Sequence, residues 1–384
     1  MLPFRFATRT RKAAHSYTRV GGVTFIAPAR AGRSGVQDRA GCWKHGSIAI
    51  QQVRTRSLSA GTGRGSQAWN LVSYLLVVGH LALIVCRSKA DIVHVTGTPL
   101  AILGILHKLR HRSFFIMDIN ERPASVSAAG SLFSVLARFE PLILRIVGRS
   151  CDLATVVTEG HVSLLEPYGI ERVTVVHNAP LRNWRGTYVV PPKDSAGRFT
   201  VAVIGTVLEG RGYELLLEAL ALCRNSGFHF RATICGPGRS EYLATLKEMA
   251  ARLQIEEYVT WVPFVDTDSV PAIYARSHAG LALYEASDPG NDSLSNKLLE
   301  AVACGRPVIA GELPENRRFM EQHSVGWLTR LHAEDLAHVM QEASRIDLDE
   351  VARHCWDLGT HTVNWESQFQ LVVDAALSRK HRRT

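Results

Sequence analysis

From residue 199 onward, short apolar runs alternate with longer stretches in which apolar residues recur every three or four positions. The runs are FTVAVIG (199–205), FRATICG (230–236), VTWVPF (259–264), AGLALY (279–284) and RPVIAG (306–311). The intervening periodicity predicts helices at 212–225, 240–253, 269–276 and 294–304, with more helix at 314–322 and 333–345. Continuous apolar runs suit strands buried on both faces, so the alternation predicts a parallel sheet covered by helices. Such sheets bind ligands where strand C-termini meet helix N-termini.

The first half repeats the alternation less cleanly. GGVTFIAP (21–28), SIAIQQV (47–53), ADIVHVTG (90–97), SFFIMDIN (113–120), CDLATVVTEG (151–160) and RVTVVHNAP (172–180) read as strands. Helices are predicted near 68–87, 98–110, 131–148 and 161–167. Between the halves, PLRNWRGTYVVPPKDSAGR (180–198) is rich in Pro, Gly and charge, as linkers are. The chain therefore divides into a basic N-terminal segment (1–22), a domain (23–182), a linker (183–198), a second domain (199–345) and C-terminal helices with a basic tail (346–384). The expected fold class is α/β, with two Rossmann-like, doubly wound domains facing across a cleft.

At 384 residues and 46% hydrophobic, the chain can bury two cores. Its net charge of +9 is unevenly spread. Residues 1–66 carry twelve basic side chains against one acid, Asp38, while the remainder has 32 basic and 34 acidic residues. A basic start suits an anionic membrane surface. It is followed by no nucleic-acid motif, so nucleic acid is not an expected partner. WNLVSYLLVVGHLALIVC (69–86) is interrupted by Asn70, Gly79 and His80 and is expected to pack on a sheet, with membrane docking as the alternative. The seven cysteines are scattered without metal or disulfide spacing, which fits a cytoplasmic setting.

Two stretches carry candidate chemistry. In VIGTVLEGRGYELLLEAL (203–220), a strand ends at Gly205, and Gly210, Arg211 and Gly212 lead into an amphipathic helix. Exposed amides, the positive helix end and a guanidinium converge there, which suits a diphosphate. In EASDPGNDSLSNKLLEAVACG (285–305), Gly290, Asn291 and Ser293 precede a helix whose first turns hold Lys297 and Glu300 on one face. Lys297 can add a point charge for phosphate, and Glu300 can accept two hydrogen bonds from vicinal hydroxyls. The alternative is a surface ion pair between the two.

With GRGYELLLEAL, ICGPG, WVPFV, LALYEASDPGNDSLSNKLLEAVACGRPVIA and GWLTR in this order, residues 200–330 resemble the nucleotide-sugar domain of the retaining family 4 glycosyltransferases of GT-B fold. Weaker resemblance continues upstream through DIVHVTG, MDINE, CDLATVVTEG and VTVVHNAP. The resemblance implies a sugar transfer from a nucleoside diphosphate sugar to an acceptor hydroxyl, on a glycan or lipid, without a metal and with no cofactor besides the donor. It implies that Arg211 is the phosphate-binding cation and Glu300 the last acid of an E-x7-E motif. Asp292 then stands where the first acid belongs, with a shorter reach to the sugar.

The chain departs from the family elsewhere. Thr206 replaces a basic residue just past Gly205, and Asn120 replaces a histidine near donor and acceptor. His94 is either a compensating group or a packed strand histidine. The family's opening strand is expected to be missing or diverged, which would leave a sheet edge bare. DTD (266–268) resembles a metal-binding motif, but Asp268 reads as a helix N-cap. These departures keep two other readings open: an impaired protein that binds nucleotide sugar as scaffold or sensor, and a nucleotide-sugar epimerase.

Overall fold

The computed structural model describes residues 8–29, 41–45, 47–54, 64–120, 132–190, 198–284 and 294–381. The chain forms two compact units, Met1–Val176 with Gln368–Thr384, and His177–Ser367.

In the first unit, α1 (Thr8–Tyr17) precedes β1 (Val23–Ala29), β2 (Gly41–His45) and β3 (Ile48–Arg54). These strands form a small sheet in which β3 pairs parallel to β1 and antiparallel to β2. Next come α2 (Arg64–Arg87), β4 (Ile92–Thr96), α3 (Ala101–His111), β5 (Phe114–Ile119), α4 (Leu132–Ser150), β6 (Leu153–Val156), α5 (Gly160–Leu165) and β7 (Val173–Val175). Strands β4 to β7 pair in chain order as a parallel sheet. Every residue of β5 and β6 is buried, including the polar Asp118 and Thr155 within their otherwise apolar runs. Phe115, Met117, Val147 and Val156 form the centre of this core.

Residues 8–17, in the segment where the family's first strand is either missing or diverged, are helical, and a long-range ion pair explains why the basic helix docks. Arg9, 7% exposed, grips Asp118 at the end of β5 through Nε at 3.1 Å to both carboxylate oxygens and Nη2 at 2.8 Å to Oδ1. Its Nη1 donates to the Val176 carbonyl at 2.6 Å, and the Thr155 hydroxyl donates to Asp118 Oδ1 at 2.7 Å. Burial alone would raise the Asp118 carboxyl; the Arg9 guanidinium overrides it and holds the group well below the carboxylate range. At the other end of α1, the Tyr17 hydroxyl meets His94 Nδ1 of the edge strand β4 at 3.0 Å.

The second unit contains β8 (Phe199–Ile204), α6 (Tyr213–Asn225), β9 (Phe230–Cys235), α7 (Ser240–Arg252), β10 (Val259–Val262), α8 (Val270–Ala275), β11 (Ala279–Ala282), α9 (Asn296–Ala303), β12 (Val308–Gly311), α10 (Pro314–His323), β13 (Gly326–Thr329), α11 (Ala333–Arg345) and α12 (Asp349–His361). The final helix, α13 (Trp365–His381), starts here and continues into the residues grouped with the first unit. Six parallel strands run in the order β10-β9-β8-β11-β12-β13, the doubly wound order. Within β8, Val201 and Val203 join the core beneath α6 and α11, whereas Ala202 and Ile204 join the core containing α9 residues Leu298 and Val302. Both faces are thus covered, which is why β8 lacks a polar alternation.

The stretch read as a linker is fastened to the second unit where it is described. Trp184 Nε1 donates to the Thr267 carbonyl at 2.9 Å, and the Arg185 guanidinium stacks 3.7 Å from the Trp356 ring centroid. Arg306, 1% exposed, donates to the carbonyls of Tyr274 at 2.7 Å, Gly305 at 3.0 Å, Ala275 at 3.3 Å and Val189. Pro and Gly there mark an extended, anchored chain.

Removing one partner of a buried ion pair strands the other charge. Arg9→Met is expected to destabilise the protein by about 3 kcal/mol in urea unfolding, and the Arg9→Met/Asp118→Leu pair by less than that. Because the folded Asp118 value lies below its ordinary 3.8, the contribution is complete above that pH and declines as pH falls below it. The double variant should lack this acid-sensitive component; an unchanged acid profile would refute the assignment.

Candidate functional site

In the six-stranded sheet the chain reverses its direction of winding between β8 and β11, so the ends of these two strands border the crevice where ligands bind. Gly205 follows β8, and Leu283 and Tyr284 follow β11. The loop after β8 ends at Gly212, which caps α6 with φ +72° and gives no side-chain cap to its first amides. A methyl group at Gly212 would lie 2.5 Å from Leu283 Cβ, so the start of α6 fits against the end of β11 only through glycine.

Helix α9 delivers the second half of the site. Its N-cap Ser295 is extended, and Ser295 Oγ is buried with no hydrogen-bond partner. Lys297 is only 5% exposed, so it is not a solvated surface residue. Its side chain passes over Gly205, where a Cβ would come within 3.1 Å of Lys297 Cε. The ammonium lies 5.0 Å from the Tyr284 ring centroid and 5.4 Å from that of Tyr213. Arg211 faces the same Tyr284 ring, with its guanidinium carbon 4.5 Å from the centroid. Two cations thus gather around one aromatic ring beside the open start of α6.

Aromatic faces attract both cations electrostatically. Burial pushes the Tyr213 hydroxyl up, so it stays protonated, and it donates to the Thr206 carbonyl at 3.3 Å. One turn along α9, Glu300 is half-buried. Its carboxylate adds to the effect of burial in raising the Tyr274 hydroxyl, and burial with Glu300 pushes the Cys304 thiol up to about 12. Tyr274 donates to the Lys297 carbonyl at 3.3 Å, tying α8 to the first turn of α9.

The structure thus gathers Gly205, Arg211, Gly212 and Lys297 around Tyr284, with Gly210 in the turn before Arg211 and Glu300 one helical turn beyond Lys297. Gly290, Asn291, Asp292 and Ser293 lie outside the described residues. Asn120 sits past the end of β5, in the first unit. His94 is a packed strand residue: besides Tyr17, its ring stacks on Phe369 at 6.0 Å, and Nε2 is 4.0 Å from Asp118 Oδ2. Asp268 is no N-cap; it lies exposed in a single 3-10 turn capped by Asp266, and α8 begins after Ser269. Valine and proline open α8 instead, with the Pro271 ring preset for a first turn. The sequence reading missed Tyr213 and Tyr284, whose signal was position: an aromatic at a strand C-terminus and another directly after the helix-opening glycine.

Residues 198–345 match the family described as glycosyl transferases group 1. A GDP-mannose-dependent alpha-(1-6)-phosphatidylinositol monomannoside mannosyltransferase of Mycolicibacterium smegmatis is 30% identical over 116 residues, 30% of each chain. WcaL of Escherichia coli (strain K12), named as a colanic acid biosynthesis glycosyltransferase, is 24% identical over 263 residues, 67% of this chain and 61% of that one. The alignments thus span less than two thirds of either relative. Sucrose-phosphate synthase from Thermosynechococcus elongatus superposes with a TM-score of 0.70 at 13% identity, covering 98% of this chain and 93% of that one.

Glycines at positive φ differ in what surrounds them, which gives a test of the close approach. Gly212→Ala is expected to lower stability by about 2 kcal/mol or more, because strain adds to a clash. Gly227→Ala, at φ +80° with open space around it, should cost only about 1 kcal/mol. Equal thermal shifts for the two would show that α6 can retreat from β11. With the doubly wound sheet, the gathered cations and the superposition in hand, residues 198–345 are similar to the glycosyl transferases group 1, and the chain has the GT-B fold.

Proposed function

We propose that the chain is a retaining glycosyltransferase that moves a sugar from a nucleoside diphosphate sugar to a hydroxyl of a glycan or lipid-linked acceptor, without a metal. The observation that carries this reading is Lys297, a buried ammonium held with Arg211 around Tyr284 at the switch point of the sheet. Departure of a nucleoside diphosphate develops negative charge, and preorganised cations with free helix amides stabilise it most where water is excluded. Arg211 and Lys297 meet the diphosphate, with the start of α6. Glu300 accepts from the ribose hydroxyls one turn deeper. Asp292 and the loop around it contact the sugar, and Asn120 offers an amide to a hydroxyl on the acceptor side.

Retention follows from the family resemblance: the acceptor attacks on the face the diphosphate leaves, and the leaving phosphate takes its proton. The names of the mannosyltransferase and of WcaL support a glycolipid or cell-surface polysaccharide product. The same chemistry supports a place on the cytoplasmic side, at the inner face of the membrane. Thr206, exposed just past Gly205, favours a second reading in which donor binds without efficient transfer. Nucleotide response with neither transfer nor slow donor hydrolysis would select it.

Ligand binding raises stability by mass action, so a thermal-shift screen against UDP, GDP, ADP and dTDP sugars is expected to give one clear responder. Glu300→Ala should weaken that response about tenfold to a hundredfold in Kd, and Lys297→Ala about tenfold. Asp268→Ala and EDTA should leave turnover unchanged. Loss of activity in EDTA with rescue by Mg²⁺ would overturn the metal-free account, and no response to any nucleotide would overturn the donor site.

A further inference from the structure

Three neighbouring helices of the first unit are apolar on two sides. On α2, Leu81 is buried against Leu103 of α3, and Val85 is buried on the same side. Val72, Leu76 and Leu83 lie on the opposite side, at intervals of four and seven, with Leu75 beside them. Leu75, Leu76 and Leu83 are 58%, 68% and 60% exposed. Helix α4 repeats the arrangement: Leu144 and Val147 enter the core, while Phe139, Leu142 and Ile146 form an exposed stripe. Helix α3, which packs on α2 and on α4, adds Ile102 and Leu109. A surface helix ordinarily turns polar residues outward, and an apolar area of this kind marks an interaction site.

The charges around the stripes have one sign. Among the described residues, the exposed charged side chains on these helices are Arg87, Arg110, Arg145 and Arg149. Arg87 lies four residues past Leu83, and Arg145 and Arg149 lie three past Leu142 and Ile146, so each stripe ends in a cation. We propose that this face docks on an anionic phospholipid bilayer, its leucines entering the acyl boundary and its arginines meeting lipid phosphates. A second copy of the chain fits less well, since it would bring arginines against arginines. Among the described residues no helix is long and apolar enough to cross a membrane, and α2 already commits its other side to α3. The contact is therefore one of lying on the surface. The proposal deepens the lipid-side setting given above, but it does not depend on sugar transfer.

The test is flotation of the full chain with vesicles, in the absence of donor and acceptor. Binding is expected to vesicles of phosphatidylcholine mixed with phosphatidylglycerol, to exceed that to phosphatidylcholine alone, and to weaken with salt. Arg145→Gln/Arg149→Gln should reduce partitioning about thirtyfold, or about fivefold per arginine. Leu76→Ser/Leu142→Ser should reduce it about tenfold or more, with unchanged circular dichroism and melting temperature. Variants that float like the parent, or no preference for anionic vesicles, would overturn the proposal. So would a dimer that the leucine variants convert to monomer, because the face would then be covered by a second copy. Flotation that persists in a preparation without any nucleotide response supports docking and counts against the transferase reading alone.

Discussion

Lys297 holds an ammonium group where water is nearly excluded, and an isolated charge in such a place is costly. The surroundings of this cation account for much of the second unit. Gly205 leaves room for its stem, Tyr213 and Tyr284 present ring faces, and Tyr274 fixes the backbone of the residue itself. These groups come from the ends of β8 and β11, the start of α6 and the last turn of α8, so they surround the charge when those elements and α9 are in register.

The first unit is organised around a charge of the opposite sign. Asp118 ends a fully buried strand, and its neighbours Arg9 and Thr155 arrive from a helix near the start of the chain and from the adjacent strand. The pair holds a basic helix against the end of the inner strand β5, while Tyr17 of the same helix meets His94 on the edge strand β4. His94, with the same surroundings, is thereby a structural residue of that edge.

Legibility in the sequence followed burial. Strands β8 to β12 were readable to within one or two residues, because a parallel sheet covered on both faces leaves apolar runs such as FTVAVIG, whereas β13 was not read as a strand. Strand β2 was not readable, since GCWKH carries neither an apolar run nor an alternation and exists through its pairing with β3. Helix α1 read as a loose basic start because what orders Arg9 is 109 residues away. Among site residues, Arg211, Lys297 and Glu300 were visible by spacing and residue type. Tyr213 and Tyr284 were hidden, as tyrosines at the edges of apolar runs look like core. Asp268 was misread because a residue type suited to capping was taken for a cap, although no side-chain bond forms at that helix start.

The arginine at position 306 has a meaning of its own. A stretch of chain that runs extended without a neighbouring strand has carbonyl oxygens with no amide to meet them. Here a single enclosed guanidinium meets one such oxygen, that of Val189, together with the carbonyls of Tyr274, Ala275 and Gly305 in the body of the unit. One side chain thus pins the chain at Val189 to the second unit from a point 117 residues away.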